Sequence, residues 1–201
     1  VLYDGHRWFE LRDAVDRTAP ALYRGAVACA FNDVTECEKT LRFTIRSNPR
    51  SEDAVEARGL LLHLHQRAGH FARALVEIDA LQTVYPDNDG LKSAGGLIAT
   101  LGQYPDQSVA TRQRSTIHYR MKAGNMFVPV SIHGRAGSYI VDTGANFSLM
   151  SESEARRLGL PILEGGASVT DITGGTMGAR MTLVDELQVG ATRLRHVAFL
   201  V

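Results

Sequence analysis

Up to about residue 103 the apolar residues recur every three or four positions, and from about residue 116 they alternate with polar ones. The first period lays an apolar stripe along helices, and the second puts apolar side chains on one face of strands. The pattern predicts helices over 6–16, 20–31, 33–47, 51–67, 70–84 and 89–101, with turns at Asn32, Gly69 and Asp87-Asn88-Asp89-Gly90. Asp33 with Glu36 ahead of an apolar run has the spacing of a capping box, and Ser51-Glu52-Asp53 after Pro49 reads as a fresh helix start. Trp8, Phe9 and Leu11 are expected to supply the core of the first helix.

The change of period implies an α part followed by a β part: 1–103 helical, 104–115 a linker around Gln103-Tyr104-Pro105-Asp106-Gln107-Ser108, and 116–201 mostly strand. Glycine usage agrees, since 8 of the 19 glycines fall in the first 115 residues and 11 in the last 86, as tight hairpins require.

Composition narrows the function by exclusion. The 201 residues carry 22 Lys+Arg against 22 Asp+Glu, so no net field attracts nucleic acid or an anionic membrane, and the 7% aromatic content argues against a base-stacking reader. The longest apolar stretches, such as Gly59-Leu60-Leu61-Leu62 and 94–101, fall short of the roughly 18 residues needed to span a bilayer. Cys29 and Cys37 are the two cysteines, too few for a zinc site; two small buried side chains is the favoured reading, and a bridge between adjacent helices is the alternative. His63 and His65 stand about 200° apart on a helix and cannot chelate one metal, so no metal or cofactor is expected.

Ala68-Gly69-His70-Phe71-Ala72-Arg73-Ala74-Leu75, followed by Leu81 and Pro86, resembles the tetratricopeptide pattern of a turn glycine, an aromatic, a small residue at a helix crossing and a closing proline. Shifting by 37 residues sets Asn32 on Gly69, Val34 on Phe71, Cys37 on Ala74 and Leu41 on Ile78, a degenerate second copy. Such repeats serve as binding platforms or as spacers and dimerisation elements, and the residues do not choose between them.

The strand-rich part holds one tight motif, Tyr139-Ile140-Val141-Asp142-Thr143-Gly144-Ala145-Asn146-Phe147-Ser148. A carboxylate ending an apolar strand is costly unless something uses it, and the glycine after it lets backbone N–H groups come close. With its surroundings, the motif resembles the aspartic proteases of the retropepsin type, in particular the bacterial single-motif relatives with Asp-Thr-Gly-Ala. A strand, turn and strand over 125–137 precede it. Ser151 to Pro161 follows as a short capped helix, with Ser151 as N-cap, Glu154 as its box partner and Gly159 past its end. A glycine-tipped hairpin over 169–178 corresponds to the family's flap, and 187–194 with 197–201 forms a further hairpin about Gly190.

The resemblance implies an acid-protease β-barrel lobe with Asp142, Thr143 and Gly144 as the catalytic triplet. Ala145, Ile172, Thr173, Gly174 and Gly175 are then expected to hold an extended peptide. The family's mechanism needs two carboxylates sharing a proton, and this chain has one such motif, so the resemblance implies a homodimer with peptide or protein substrates. It also implies an exported location, periplasmic or extracellular. Family members continue into an apolar-apolar-Gly strand and a short helix; no such triplet follows Asp142 in a suitable place, so the lobe is expected to be incomplete at its C-terminal end.

Two rival readings stand beside this one. Asp142-x-Gly144 with Ser148 also resembles the first phosphate loop of actin-like sugar kinases, a fold for which the chain is too short. A helical-repeat adaptor with an inactive protease-like lobe is the other, because a fold does not guarantee an activity.

Overall fold

The computed structural model describes residues 2–143, 145, 147–170 and 176–201, by backbone alone over 165–170, 176–177 and 179. Six helices come first: α1 (Trp8–Ala14), α2 (Ala21–Ala30), α3 (Val34–Ser47), α4 (Glu52–Ala68), α5 (Phe71–Val84) and α6 (Asp89–Leu101). The strands follow: β1 (Ser108–Thr111), β2 (Arg120–Lys122), β3 (Asn125–Ile132), β4 (Arg135–Ile140) and β5 (Ser148–Leu149). After helix α7 (Glu152–Leu158) come β6 (Leu163–Thr170), β7 (Thr176–Val184), β8 (Leu187–Val189), β9 (Thr192–Arg195) and β10 (Val197–Leu200). The helix-then-strand layout agrees with the change of period, and each predicted helix is present within two residues at either end. The stretch expected to be a linker contains β1. The chain forms two compact units, Val1–Arg67 with Arg73–Leu91, and Ala68–Ala72 with Lys92–Val201.

In the first unit Leu22, Ala28, Cys29, Cys37, Leu41, Ile45, Ala54, Ala57, Leu61 and Leu64 make one buried cluster. Helices α2 and α3 approach closely at Gly25, where a Cβ would lie 2.6 Å from Leu41 Cδ2. Asp33 caps α3, its carboxylate accepting from the Glu36 N–H at 3.2 Å, while the Glu36 carboxylate turns to Lys39 and Thr40 instead of closing the box. Asn32 and Gly69, 37 residues apart, both take the left-handed conformation, at φ 61° and 69°. The shifted pairs agree in burial at Cys37 with Ala74 and at Leu41 with Ile78; Val34 departs, being exposed where Phe71 is buried.

Three expectations about this unit are corrected. Cys29 and Cys37 are buried, as expected of small packing residues, but they are also bonded to each other in a disulfide across the α2–α3 turn. Phe9 is not core: it is 68% exposed, edge-on to Phe31, and the Arg12 guanidinium lies over both rings. Trp8 is half-buried against Tyr3, leaving Leu11 as the buried residue of α1. His63 is exposed and His65 buried, as their spacing requires.

Sequence reasoning did not anticipate the charge cluster in the same unit. Glu77 is 0% exposed and accepts from Arg42 Nη1 at 2.6 Å and from Arg58 Nη1 at 3.0 Å. A fully buried carboxylate is tolerated only when its oxygens are bonded, and here two guanidiniums take one oxygen each. Burial holds the pKa of the neighbouring His65 below its ordinary value, against the pull of Glu38 in the other direction.

In the second unit the strands form two sheets. One runs β1-β9-β8-β3-β2 with β4 also paired to β3, and the other runs β5-β10-β7-β6. Val130, Ile132, Met150, Ala155, Leu158, Leu160, Val184, Leu187, Val197 and Phe199 form the core. The β3–β4 hairpin turns at His133 and Gly134, both with positive φ, the conformation a tight two-residue turn demands.

Candidate active site

Asp142 owes its position to the hairpin before it and the strand after it. Strands β3 and β4 pair from Ile132 with Arg135 up to Phe127 with Ile140, and the Val141 N–H adds one more bond, to the Met126 carbonyl at 2.9 Å. The chain then leaves this sheet, and by Ser148 it has joined the other, where β5 runs parallel to β10 with Ser148 opposite Phe199 and Leu149 opposite Leu200. The Met150 N–H extends that pairing to the Leu200 carbonyl at 3.0 Å. Asp142 therefore sits on a crossing loop whose two ends are fixed by different sheets.

Asp142, Thr143 and Ala145 are all exposed on this loop. Gly144, and Ile172, Thr173, Gly174 and Gly175 of the expected flap, lie outside the described residues. The strands leading to the flap are paired, Thr170 with Thr176 and Leu163 with Met181, with a register irregularity between Glu164 and Ala167. Several large apolar residues close to Asp142 in sequence or in strand pairing are exposed. Ile140 and Val141 precede it, Leu149 follows it, and Met121 and Met126, paired across β2 and β3, are exposed as well.

Helix α7 is bonded to the strand that precedes the loop. Its N-cap Ser151 accepts from the Glu154 N–H at 3.2 Å, and Gly159 closes it in the left-handed conformation at φ 73°, as the spacing predicts. The Glu154 side chain does not return to Ser151. It accepts from the Tyr139 hydroxyl at 2.9 Å and from Arg157 at 2.7 and 2.8 Å. Those bonds, the Arg157 pair first, lower the Glu154 pKa to about 2. Partial burial and the adjoining carboxylate push the Tyr139 phenol up to about 12, so it stays a donor. Gly137 makes room for this arrangement, because a Cβ there would meet the Tyr139 ring at 2.6 Å. Glu152 accepts from Arg156 and from Arg180 of β7, and these bonds hold its pKa at about 2.

The sequence reading missed the Tyr139–Glu154 and Glu152–Arg180 links. Glu154 was assigned to the cap by its spacing, and nothing local indicates a partner 15 residues earlier. No group of three or more His, Cys, Asp or Glu side chains that could hold a metal occurs among the described residues. No helix among them is long and apolar enough to cross a membrane.

Residues 128–201 match the family model of aspartyl proteases. No curated protein and no solved structure matches the chain. The match begins inside β3 and takes in the β3–β4 hairpin, the Asp142 loop, α7 and the last five strands. Over residues 128–201 the chain is therefore similar to an aspartyl protease domain.

Proposed function

We propose that this chain is an aspartic endopeptidase of the retropepsin type, which hydrolyses peptide bonds with a water activated by two copies of Asp142 in a homodimer. The observation that carries the reading is the position of Asp142-Thr143 on an exposed loop between two sheets, inside the stretch that matches the aspartyl proteases. One chain supplies one such carboxylate. Two carboxylates within about 3 Å cannot both ionise, so the pair shares a proton. The ionised member draws a proton from the attacking water while the protonated member polarises the scissile carbonyl. Such a pair titrates as a unit, with two apparent pKa values that belong to the dyad.

In this reading Thr143 and Gly144 build the loop, and the hairpin carrying Ile172–Gly175 clamps an extended peptide through strand-like backbone bonds together with Ala145. The left-handed Asn32 and Gly69 and the burial of Cys37, Leu41, Ala74 and Ile78 support a tetratricopeptide-like pattern in the helical part of the chain. The Cys29–Cys37 disulfide supports an exported location, since such bonds persist in oxidising compartments.

The test is Asp142→Asn in the full protein, including any residues that follow Val201. Cleavage of denatured casein and binding of a pepstatin-type inhibitor should both be lost. Activity per chain should rise with protein concentration, because the site is complete only in the dimer. Cleavage that survives the substitution would remove the protease reading in favour of a helical-repeat scaffold with an inactive lobe.

A further inference from the structure

The loop that carries Asp142 is tied to backbone at both ends, and shortly before its second end an aromatic side chain from the first position of α5 meets it. The Phe147 ring lies nearly parallel to the Phe71 ring, with centroids 6.5 Å apart and 13° between planes. Phe71 is buried and Phe147 half-buried. Both belong to the second compact unit, to which the turn between α4 and α5 contributes Ala68–Ala72.

A second, independent feature fixes the turn itself. The Gln107 N–H donates to the Gly69 carbonyl at 3.1 Å. Gly69 takes φ +69°, and a Cβ on it would stand 2.3 Å from Gln107 Cβ, so the residue must be glycine for its conformation and for its closeness. Gln107 directly precedes β1, whose Ser108 pairs with Arg195 of β9. The turn is therefore held to the same sheet from which the Asp142 loop departs. Phe71, two residues beyond Gly69, meets the loop from a fixed base.

From these two features we propose that Phe71 is a positioning residue for the Asp142 loop, acting through its stack on Phe147. The inference rests on the reading of Asp142 as the catalytic carboxylate. It adds that a side chain holding the loop at Phe147 comes from outside the stretch matching the aspartyl proteases. Catalytic carboxylates that must meet across a dimer axis need a loop with one geometry, since a displacement of about 1 Å costs on the order of a hundredfold in rate. A stacked ring supplies that constraint without placing a polar group near the shared proton.

Hydrogen exchange on the full chain tests this without requiring turnover. In Phe71→Leu, which keeps the site apolar, and in Phe147→Leu, peptides covering 142–149 should exchange about two- to tenfold faster, the range expected from losing one aromatic stack. Peptides from β3 and β10 should be unchanged, and Phe147→Tyr should restore slow exchange. Unchanged exchange over 142–149 in both leucine variants would overturn the proposal. So would an equal acceleration across β3 and β10, which would assign the rings to general packing. If Asp142→Asn still cleaves substrate, the protease reading falls while the bracing is judged on exchange alone.

Discussion

The Tyr139 hydroxyl donates to Glu154 Oε1 at 2.9 Å, and this bond ties the strand that leads to Asp142 to the helix that follows the loop in the chain. Tyr139 is three residues before Asp142 and Glu154 is in the first turn of α7, so the bond joins the approach to the loop with the structure that follows it. Removing the hydroxyl in Tyr139→Phe leaves the ring over Gly137 and takes one donor from a carboxylate whose two oxygens are still held by Arg157. The expected loss is about 0.5–1.5 kcal/mol, seen as a lower urea midpoint with an unchanged slope.

The same carboxylate sets a pH dependence. Glu154 ionises at about 2 in the folded protein, below its ordinary value, so its contribution is present above the unfolded carboxylate range and is lost as pH falls towards 2. Tyr139 is displaced upwards, to about 12, so its contribution holds below pH 10 and is lost as pH rises towards 12. Denaturation midpoints measured from pH 2 to 5 should fall less steeply in Glu154→Gln than in the parent chain.

The Cys29–Cys37 bridge closes a short loop, its cysteines being eight positions apart. Chain entropy for so short a loop gives about 2.5 kcal/mol. Cys37→Ser should lower the stability of the first unit by roughly that amount, and a reductant should lower the melting temperature of the parent chain and leave the variant unaffected.

Glu77 is the buried carboxylate shared by Arg42 and Arg58, and its removal takes a partner from two mostly covered guanidiniums, of which Arg42 keeps Glu38 at 3.7 Å. Glu77→Ala should cost about 3 kcal/mol, at the lower end for a broken buried pair because both arginines keep some access to water. His65 beside this cluster resists protonation, so acidification through the ordinary histidine range should destabilise the first unit. Calorimetric melting between pH 7 and 5 should show that loss in the parent chain and less of it in His65→Gln.

Much of the fold was legible because its signals are local. The helices followed from apolar spacing, and the left-handed turns from Asn32, Gly69 and Gly159, residues that tolerate positive φ. The position of Asp142 on a loop after an apolar strand could be read from Tyr139-Ile140-Val141 alone. The rest depended on partners far apart in sequence. Glu154 met Tyr139, Glu77 gathered Arg42 and Arg58, and Phe147 met Phe71. Hydrophobic periodicity assigns a face to each residue but not a neighbour across the core, and charged side chains carry no periodic signal when they are buried in pairs. Phe9 shows the converse error, an aromatic at a helical position that covers a cation on the surface instead of entering the core.

The parallel pairing of Ser148 and Leu149 with Phe199 and Leu200 spans about fifty residues of chain. Contacts so distant in sequence form late, because loop closure must be completed before they are rewarded. During synthesis the segment bearing Asp142 therefore leaves the ribosome well before the strand that secures its far end. The order of synthesis delays a fully anchored Asp142 loop until β10 has been made and has joined its sheet, which separates the making of the carboxylate from the completion of its second anchor.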